Sequence, residues 1–213
     1  MANYFYNFPT TYYTNTDGNT DLDVVTDITK RFAFEQEFKN NSAAYIKFIV
    51  TDEDTPEIIA HKYYGDVEKH WIILMMNDIV DPQYDWPMKE RDLNKFIESK
   101  YSANASVGQT GTDWAKSNNQ SYYKVETKTV GTGQYTQDKI EIDSGTYANT
   151  SVTDTTYTLK DGKQVNIAIT KETKTYFDYE TELNEEKRHI IVLRKEFVPT
   201  VMGELKTIFN MSV

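Results

Sequence analysis

The stretch DTPEIIAHKYYGDVEKHWIILMMND, residues 54 to 78, contains two helix starts and a glycine stop. Thr55 is a typical N-cap residue, and Pro56 suits the first position of a helix. Gly65 can end that helix in the left-handed conformation. Asp66 can cap the next one. The segment therefore predicts two short helices in direct succession.

The second helix should be covered on most sides, because Ile72, Ile73 and Met76 thicken its apolar stripe. Val67, Trp71, Leu74 and Met75 recur at helical spacing and predict its core face. We expect Trp71 to be a core residue rather than a platform for a ligand, because its neighbours repeat the same apolar pattern. A third helix is predicted at about 88–100, after a turn-rich connection.

The flanking sequence predicts further strands and helices. AAYIKFIV (43–50) alternates, and RHIIVLR (188–194) is nearly continuous apolar, so both predict strands. We expect an α+β fold with four parts. The first is an N-terminal arm and short helix at 1–42, and the second is a module of one strand, two short helices and an extra helix at 43–101. A β-rich insertion follows at 102–180, and a strand and helix at 181–213 return to the module.

The start of the insertion, SANASVGQTGTDWAKSNNQS, is rich in Gly, Ser and Asn and predicts a linker or long loop. Further along, Asp161-Gly162 predicts a hairpin. An odd-length loop would pair Leu159 with Val165 and keep one face apolar, whereas a two-residue loop would not. We therefore predict the odd loop.

Composition excludes several classes of function. The chain of 213 residues has a net charge of −10 and no cysteine. Affinity for nucleic acids comes largely from Lys and Arg that neutralise phosphates, so neither DNA nor RNA is expected as a partner. The same charge disfavours anionic membrane surfaces, and no window reaches the ~20 apolar residues of a membrane-spanning helix. Without cysteine, disulfides and thiolate metal sites are impossible.

No catalytic pattern is present. His61, His70 and His189 belong to no metal-binding or catalytic motif, and no nucleophile elbow or Gly-rich phosphate loop occurs. Asp17, Asn19, Asp21 and Asp23 alternate as calcium ligands do. However, Leu22 and Ile28 stand where such a loop needs Gly and Glu, so we interpret this segment as a solvated turn. We expect no catalytic residue, cofactor or metal ion, and we predict that the protein is not an enzyme.

Aromatic residues are the candidates for contacts with other proteins. MANYFYNFPTTYY (1–13) has no period that would cover its aromatic side chains within the chain. Trp86 lies in a turn between two prolines, where packing and partner contact are equally plausible. The candidate partner-binding residues are Tyr4, Phe5, Tyr6, Phe8, Tyr84 and Trp86. We expect the arm to become ordered only on a partner.

The order of strand, capped helix, Gly stop, capped helix and Asn resembles a LysM domain. IKFIV, EIIAHKYYG and WIILMMN carry this resemblance. It implies a glycan-binding module for peptidoglycan or chitin, which is one functional alternative. After Asn77 the sequence departs from the LysM pattern, because a turn and a helix replace the usual closing strand.

A second resemblance covers more of the chain. PEIIAHKYYGDVEKHWIILMMNDIVDPQYDW is similar to the signature of the gene-53 family of baseplate wedge proteins of contractile-tailed bacteriophages. VVTDITKRF and RHIIVLRKEFVPTVMGELKTIF also resemble parts of that family. The resemblance covers 1–100 and about 185–213, and leaves out 102–180.

This second resemblance implies an assembly role, with the LysM-like fold used for protein contacts. The protein would be a structural part of the virion, in the tail baseplate, where it clamps or joins neighbouring wedges. Its partners would be other wedge proteins and proteins close to the hub, in multiple copies within a symmetric assembly. It would be present in the host cytoplasm during assembly.

Overall fold

The computed structural model describes residues 8–14, 22–30, 33–34, 36–131 and 134–210. These residues form two compact units, one from the described parts of Met1–Lys89 and Glu185–Val213 and the other from Glu90–Asn184. Helices and strands occur in both, which confirms the α+β class. The second unit begins at Glu90 and thus includes the helix that we predicted to belong with 43–101. The division into four parts stays a prediction.

The helices and strands follow one another in a mixed order. Within the described residues, short 3₁₀ turns lie at Val67–Lys69, Ser102–Asn104 and Lys195–Phe197. The other described elements, in chain order, are β1 (Thr10–Thr14), β2 (Leu22–Thr26), α1 (Gln36–Asn40), β3 (Tyr45–Ile49), α2 (Pro56–Tyr64), α3 (His70–Met76), α4 (Pro82–Asp85), α5 (Glu90–Tyr101), α6 (Gly111–Ser117), β4 (Asn119–Val130), β5 (Gln134–Ile142), α7 (Ser144–Asn149), β6 (Thr153–Thr158), β7 (Gln164–Thr175), α8 (Tyr176–Glu186), β8 (His189–Leu193) and α9 (Val198–Asn210).

Helix α2 begins and ends where the sequence predicts. The Thr55 side chain accepts a hydrogen bond of 3.3 Å from the Ile58 N–H, and Pro56 opens the helix. Gly65 has a φ of 75°, and its N–H donates to the His61 carbonyl. These signals act within a few residues of the helix ends, which is why the sequence alone reveals them.

Helix α3 is covered on most sides, as predicted, but Val67 is not part of its buried face. Asp66 caps the 3₁₀ turn Val67–Lys69, and α3 starts only at His70. A 3₁₀ turn advances fewer residues per turn than an α-helix, so Val67 is out of phase with the helix and remains exposed. Trp71 is buried, as predicted. The fully buried side chains are Ile72, Ile73 and Met76, whereas Leu74 and Met75 are only partly buried.

Strands β3 and β8 form an antiparallel pair of five residues each, from Tyr45 opposite Leu193 to Ile49 opposite His189. Helix α3 packs against β8. The Asn77 side chain fixes this packing: its Nδ2 donates to the carbonyls of Ile73 and Ile191, and its Oδ1 accepts from the Ile191 N–H, each at 2.8 Å. Both strands were predicted, and the structure adds that they pair.

Tyr64 makes a second link to β8. Its hydroxyl donates to the Leu193 carbonyl at 2.9 Å. Burial raises the pKa of Tyr64 well above its usual range, and the neighbouring Tyr63 adds to the shift. The neutral hydroxyl therefore serves as a hydrogen-bond donor inside the core.

The second unit contains a four-stranded antiparallel sheet with the strand order β5–β4–β7–β6. Its strands lie between Asn119 and Thr175, within the stretch predicted to be β-rich. The predicted linker is wrong in part, because α6 occupies Gly111–Ser117. Glu98 accepts hydrogen bonds from the N–H groups of Gly111 and Thr112, at 3.0 and 2.8 Å. Gly111 allows this approach, since a Cβ there would lie 2.3 Å from the Glu98 carbonyl oxygen.

The hairpin between β6 and β7 has the predicted odd-length loop but other partners. Tyr157 lies opposite Val165, and the Leu159 N–H donates to the Lys163 carbonyl at 2.8 Å. The predicted pairing of Leu159 with Val165 is therefore wrong by two residues. A two-residue shift keeps every side chain on the same face, so the apolar pattern could not distinguish the two registers.

The N-terminal region is not an extended arm throughout. Residues Thr10–Thr14 pair with Leu22–Thr26 as an antiparallel hairpin, β1–β2. The pattern of VVTDITKRFAF (24–34) predicts a short amphipathic turn or helix, but its first three residues belong to β2. Ile28 is exposed, whereas Phe34 is buried in the core of the first unit.

Candidate interaction surfaces

Of the six predicted contact residues, Tyr4, Phe5 and Tyr6 lie outside the described residues. Phe8 is buried in the same core cluster as Phe34. Burial within its own chain gives Phe8 a packing role in the isolated subunit. A role of the arm in partner binding stays a prediction.

Trp86 is also buried in that core. Its Nε1–H donates to the Asp54 carbonyl at 3.2 Å. These contacts give Trp86 a packing role, one of the two alternatives that the sequence left open. A partner contact by Trp86 stays a prediction.

The Asp54 side chain completes this corner of the first unit. It accepts hydrogen bonds from the Thr51 N–H and hydroxyl, at 3.1 and 2.7 Å, and from Lys62 Nζ at 2.9 Å. Burial alone would raise the pKa of Asp54, but these bonds from Lys62 and Thr51 outweigh burial and hold the pKa below its usual range. The carboxylate is therefore a structural anion at the start of α2.

Tyr84 lies on an exposed turn whose backbone is held in place. Asp85 accepts hydrogen bonds from the N–H groups of Val80 and Asp81, at 3.2 and 3.0 Å. Lys187 Nζ donates to the Tyr84 carbonyl at 2.6 Å. The side chains of Val80 and Tyr84 are both exposed. The turn thus presents an aromatic and an aliphatic side chain on a fixed backbone.

The hairpin β1–β2 is the most apolar exposed element of the described N-terminal residues. All ten of its residues are exposed, including Tyr12, Tyr13, Leu22, Val24 and Val25. Tyr12 and Tyr13 belong to the aromatic segment 1–13 that the sequence indicates as uncovered, but the pairing with Leu22–Thr26 was not predicted. A usable signal was available, because LDVVT is rich in β-formers and a cluster of Asn, Asp, Gly and Thr separates it from TTYYT.

An open groove of about 730 Å³ lies on the first unit between the Phe34 region and one side of α9. Phe34 and Phe38 supply its aromatic lining, and Gly203 leaves open space beside α9. The groove is wide and open to solvent, and no acid–base pair lines it.

The described residues meet the requirements of neither a metal-binding cluster nor a membrane-spanning helix. No three His, Asp or Glu side chains there are grouped so that they could hold a metal ion. Asp17, Asn19 and Asp21 lie outside the described residues, and Asp23 lies in β2. No described helix combines the length and the apolar character needed to cross a bilayer.

Comparison with known families gives one match. The family model described as base plate wedge protein 53 matches residues 4–208. This range encloses 102–180, which the sequence analysis had placed outside the family resemblance. No curated protein matches the chain.

Proposed function

The chain belongs to the phage base plate wedge protein 53 family, and from this premise we propose that it joins neighbouring wedges of the baseplate through protein–protein contacts. Membership gives it a structural role in the tail baseplate of the virion and an association with other baseplate components. The match over residues 4–208 is the observation that carries the proposal. We further propose that the protein clamps the wedges near the hub, in several symmetry-related copies, that it enters the baseplate from the host cytoplasm, and that it has no catalytic activity.

The pairing of β3 with β8 supports a LysM-like module used for assembly. The strand–helix–helix order of β3, α2 and α3 lacks a closing strand directly after Asn77. Strand β8 takes the place of that strand, because it pairs with β3 and packs against α3. We propose that the module is LysM-like and that its closing strand comes from the C-terminal part of the chain.

The exposed turn at Tyr84 is the contact surface that we propose within this module. Tyrosine is enriched where protein interfaces have most of their binding energy, because it brings a large contact area at a small cost in side-chain entropy. The hydrogen bonds that the Asp85 carboxylate accepts and the one that Lys187 donates fix the turn before binding, which reduces the entropy lost on association. Phe8 and Trp86 would act as internal anchors beside the contacts made by Tyr84, Tyr4, Phe5 and Tyr6.

Glycan binding is the alternative that the LysM resemblance raised. The family match favours assembly over glycan binding, because the matched family is defined by its place in the baseplate.

A test of joining uses a phage in which the gene for this protein is disrupted. We expect wedge complexes to accumulate without closing into baseplates, and added purified protein to restore closure, as measured by sedimentation and electron microscopy. Complete baseplates that form without the protein would contradict the proposal.

The same assay tests the Tyr84 surface. Tyr84→Ala should reduce joining, whereas Tyr157→Ala should not. Tyr157 is a matched control, because both tyrosine side chains are 53% exposed. Equal joining by the two variants would remove Tyr84 from the contact surface.

A further inference from the structure

The two faces of the hairpin β1–β2 differ in chemistry. In an antiparallel pair, residues directly opposite one another project to the same face. Tyr12 lies opposite Val24 and Thr14 opposite Leu22, so these residues form one face, here called the Tyr12 face. Tyr13 lies opposite Asp23 and Thr11 opposite Val25, and these form the Tyr13 face.

The Tyr12 face is more apolar and more exposed. Tyr12, Leu22 and Val24 are 74%, 59% and 63% exposed, and the remaining residues of this face are threonines. The Tyr13 face carries the charge of Asp23, and its Val25 is only 38% exposed. In a chain with a net charge of −10, an uncharged apolar face is unusual and suits an equally uncharged surface.

The hairpin is attached to the core at its base. Phe8, which precedes β1, is buried in the core of the first unit, and the Asp27 N–H donates to the Pro9 carbonyl at 2.8 Å. The Asp27 carboxylate accepts hydrogen bonds from the Thr29 hydroxyl and N–H, at 2.6 and 3.1 Å, and these bonds lower the pKa of Asp27. The base of the hairpin is therefore fixed while both of its faces remain exposed.

An isolated two-stranded hairpin is at best marginally stable in water, because neither face is buried. A partner that covers one face would supply the missing burial. The family match identifies the available partners as other baseplate components.

We propose that the Tyr12 face of β1–β2 binds an uncharged, apolar surface of another baseplate wedge protein. This inference rests on the proposed function and adds a contact surface that the family match does not supply. The Tyr12 face uses Tyr12 as its aromatic anchor, with Leu22 and Val24 beside it. Binding would bury the face of the strand pair that is exposed to solvent in the isolated chain.

The experiment compares two double variants of the full chain. Tyr12→Thr with Val24→Thr changes the Tyr12 face, and Tyr13→Thr with Val25→Thr changes the Tyr13 face. Each variant loses one Tyr and one Val and gains two threonines, which favour strands, so both keep the same strand propensity. Binding is measured by analytical ultracentrifugation against wedge complexes purified from phage lacking this protein.

We expect the Tyr12-face variant to bind at least about tenfold more weakly than the wild type, and the Tyr13-face variant to bind within about threefold. Both variants should melt with the wild type, because the hairpin is exposed. If the Tyr12-face variant binds as tightly as the wild type, the inference about the hairpin is wrong but the proposed function stands. The same holds if both variants lose the same amount of affinity. Self-association of the wild-type chain that the Tyr12-face variant abolishes would also overturn it, because the occupant would then be a second copy. Failure of the wild-type chain to bind the wedge complexes would contradict the proposed function as well.

Discussion

Two antiparallel strand pairs of the first unit have the same length but differ in how far their side chains are buried. In both β3–β8 and β1–β2, five residues of one strand pair with five of the other. Ile190, Val192 and Leu193 of β8 are buried, whereas all ten residues of β1–β2 are exposed. Because the backbone pairing is equivalent, the difference lies in what covers the side chains.

The cover of β3–β8 comes from the helices. Helix α3 packs against β8, and the side chains of Asn77 and Tyr64 bind the backbone of that strand. Nothing equivalent holds β1–β2 in the described residues of the chain. Strand pairing alone does not make a stable element. We therefore propose that β3–β8 is covered by the fold and that β1–β2 is covered by a partner.

Removing the main aromatic side chain of α3 should have the largest effect. Trp71→Ala should lower the free energy of unfolding by about 3–5 kcal/mol, because Trp71 is buried in the helix that covers β8. Tyr12→Ala, its counterpart on the hairpin, should change it by less than about 0.5 kcal/mol. Urea unfolding measures both. If the Trp71 variant unfolds with the wild type, the core assignment of α3 is wrong.

Removing the side-chain link between α3 and β8 should lower the free energy of unfolding slightly less than Trp71→Ala does. Asn77→Ala leaves the N–H and carbonyl of Ile191 without their side-chain partners, and we expect a loss of about 2–4 kcal/mol. Asn77→Asp keeps an acceptor for the Ile191 N–H but sets a carboxylate oxygen against the carbonyls of Ile73 and Ile191, so its loss should be at least as large. Thermal unfolding ranks the three proteins. Equal stability of all three would show that packing alone holds β8.

A valine in each strand pair provides the closest comparison. Val192 is 1% exposed, and Val24 is 63% exposed. Val192→Ala should lower the free energy of unfolding by about 1.5–3 kcal/mol, and Val24→Ala by less than about 0.5 kcal/mol. The pair is measured by chemical denaturation under one set of conditions. Similar losses at both sites would mean that the hairpin contributes to the core.

The smallest of these effects depends on pH. The pKa of Asp54 is lowered in the folded state, so its carboxylate stabilises the fold above the unfolded pKa of about 4, and this contribution disappears as the pH falls through the folded pKa. Asp54→Asn should therefore cost about 1–2 kcal/mol at pH 7, since Lys62 is largely exposed and screened. The difference in the free energy of unfolding between this variant and the wild type should shrink below about pH 4. A constant difference from pH 3 to pH 7 would exclude this ionic contribution.

The sequence predicts what depends on neighbouring residues. The cap at Thr55 and the stop at Gly65 act within one turn, so their positions are correct. Val67 was wrongly assigned to the buried face of α3, because the 3₁₀ turn after Asp66 shifts the phase of the helix. Helix α6 was missed, because its composition is that of a loop and its start depends on a contact with Glu98.

Contacts between residues far apart in the chain are the second feature that the sequence does not predict. The pairing of β3 with β8 joins segments that are far apart in the sequence, and no local pattern specifies it. On the candidate surfaces, the sequence names Tyr84 and Trp86 together, although Tyr84 is exposed and Trp86 is buried in the core. The partner surfaces themselves depend on molecules outside the chain.

Amide hydrogen exchange tests the contrast between the two strand pairs most directly. It is measured for the isolated full-length protein and for the assembled baseplate. We predict strong protection of β3–β8 in both states, and fast exchange of β1–β2 in the isolated protein that becomes slow in the baseplate. Protection of β1–β2 in the isolated protein equal to that of β3–β8, or fast exchange of β1–β2 in the baseplate, would contradict the account.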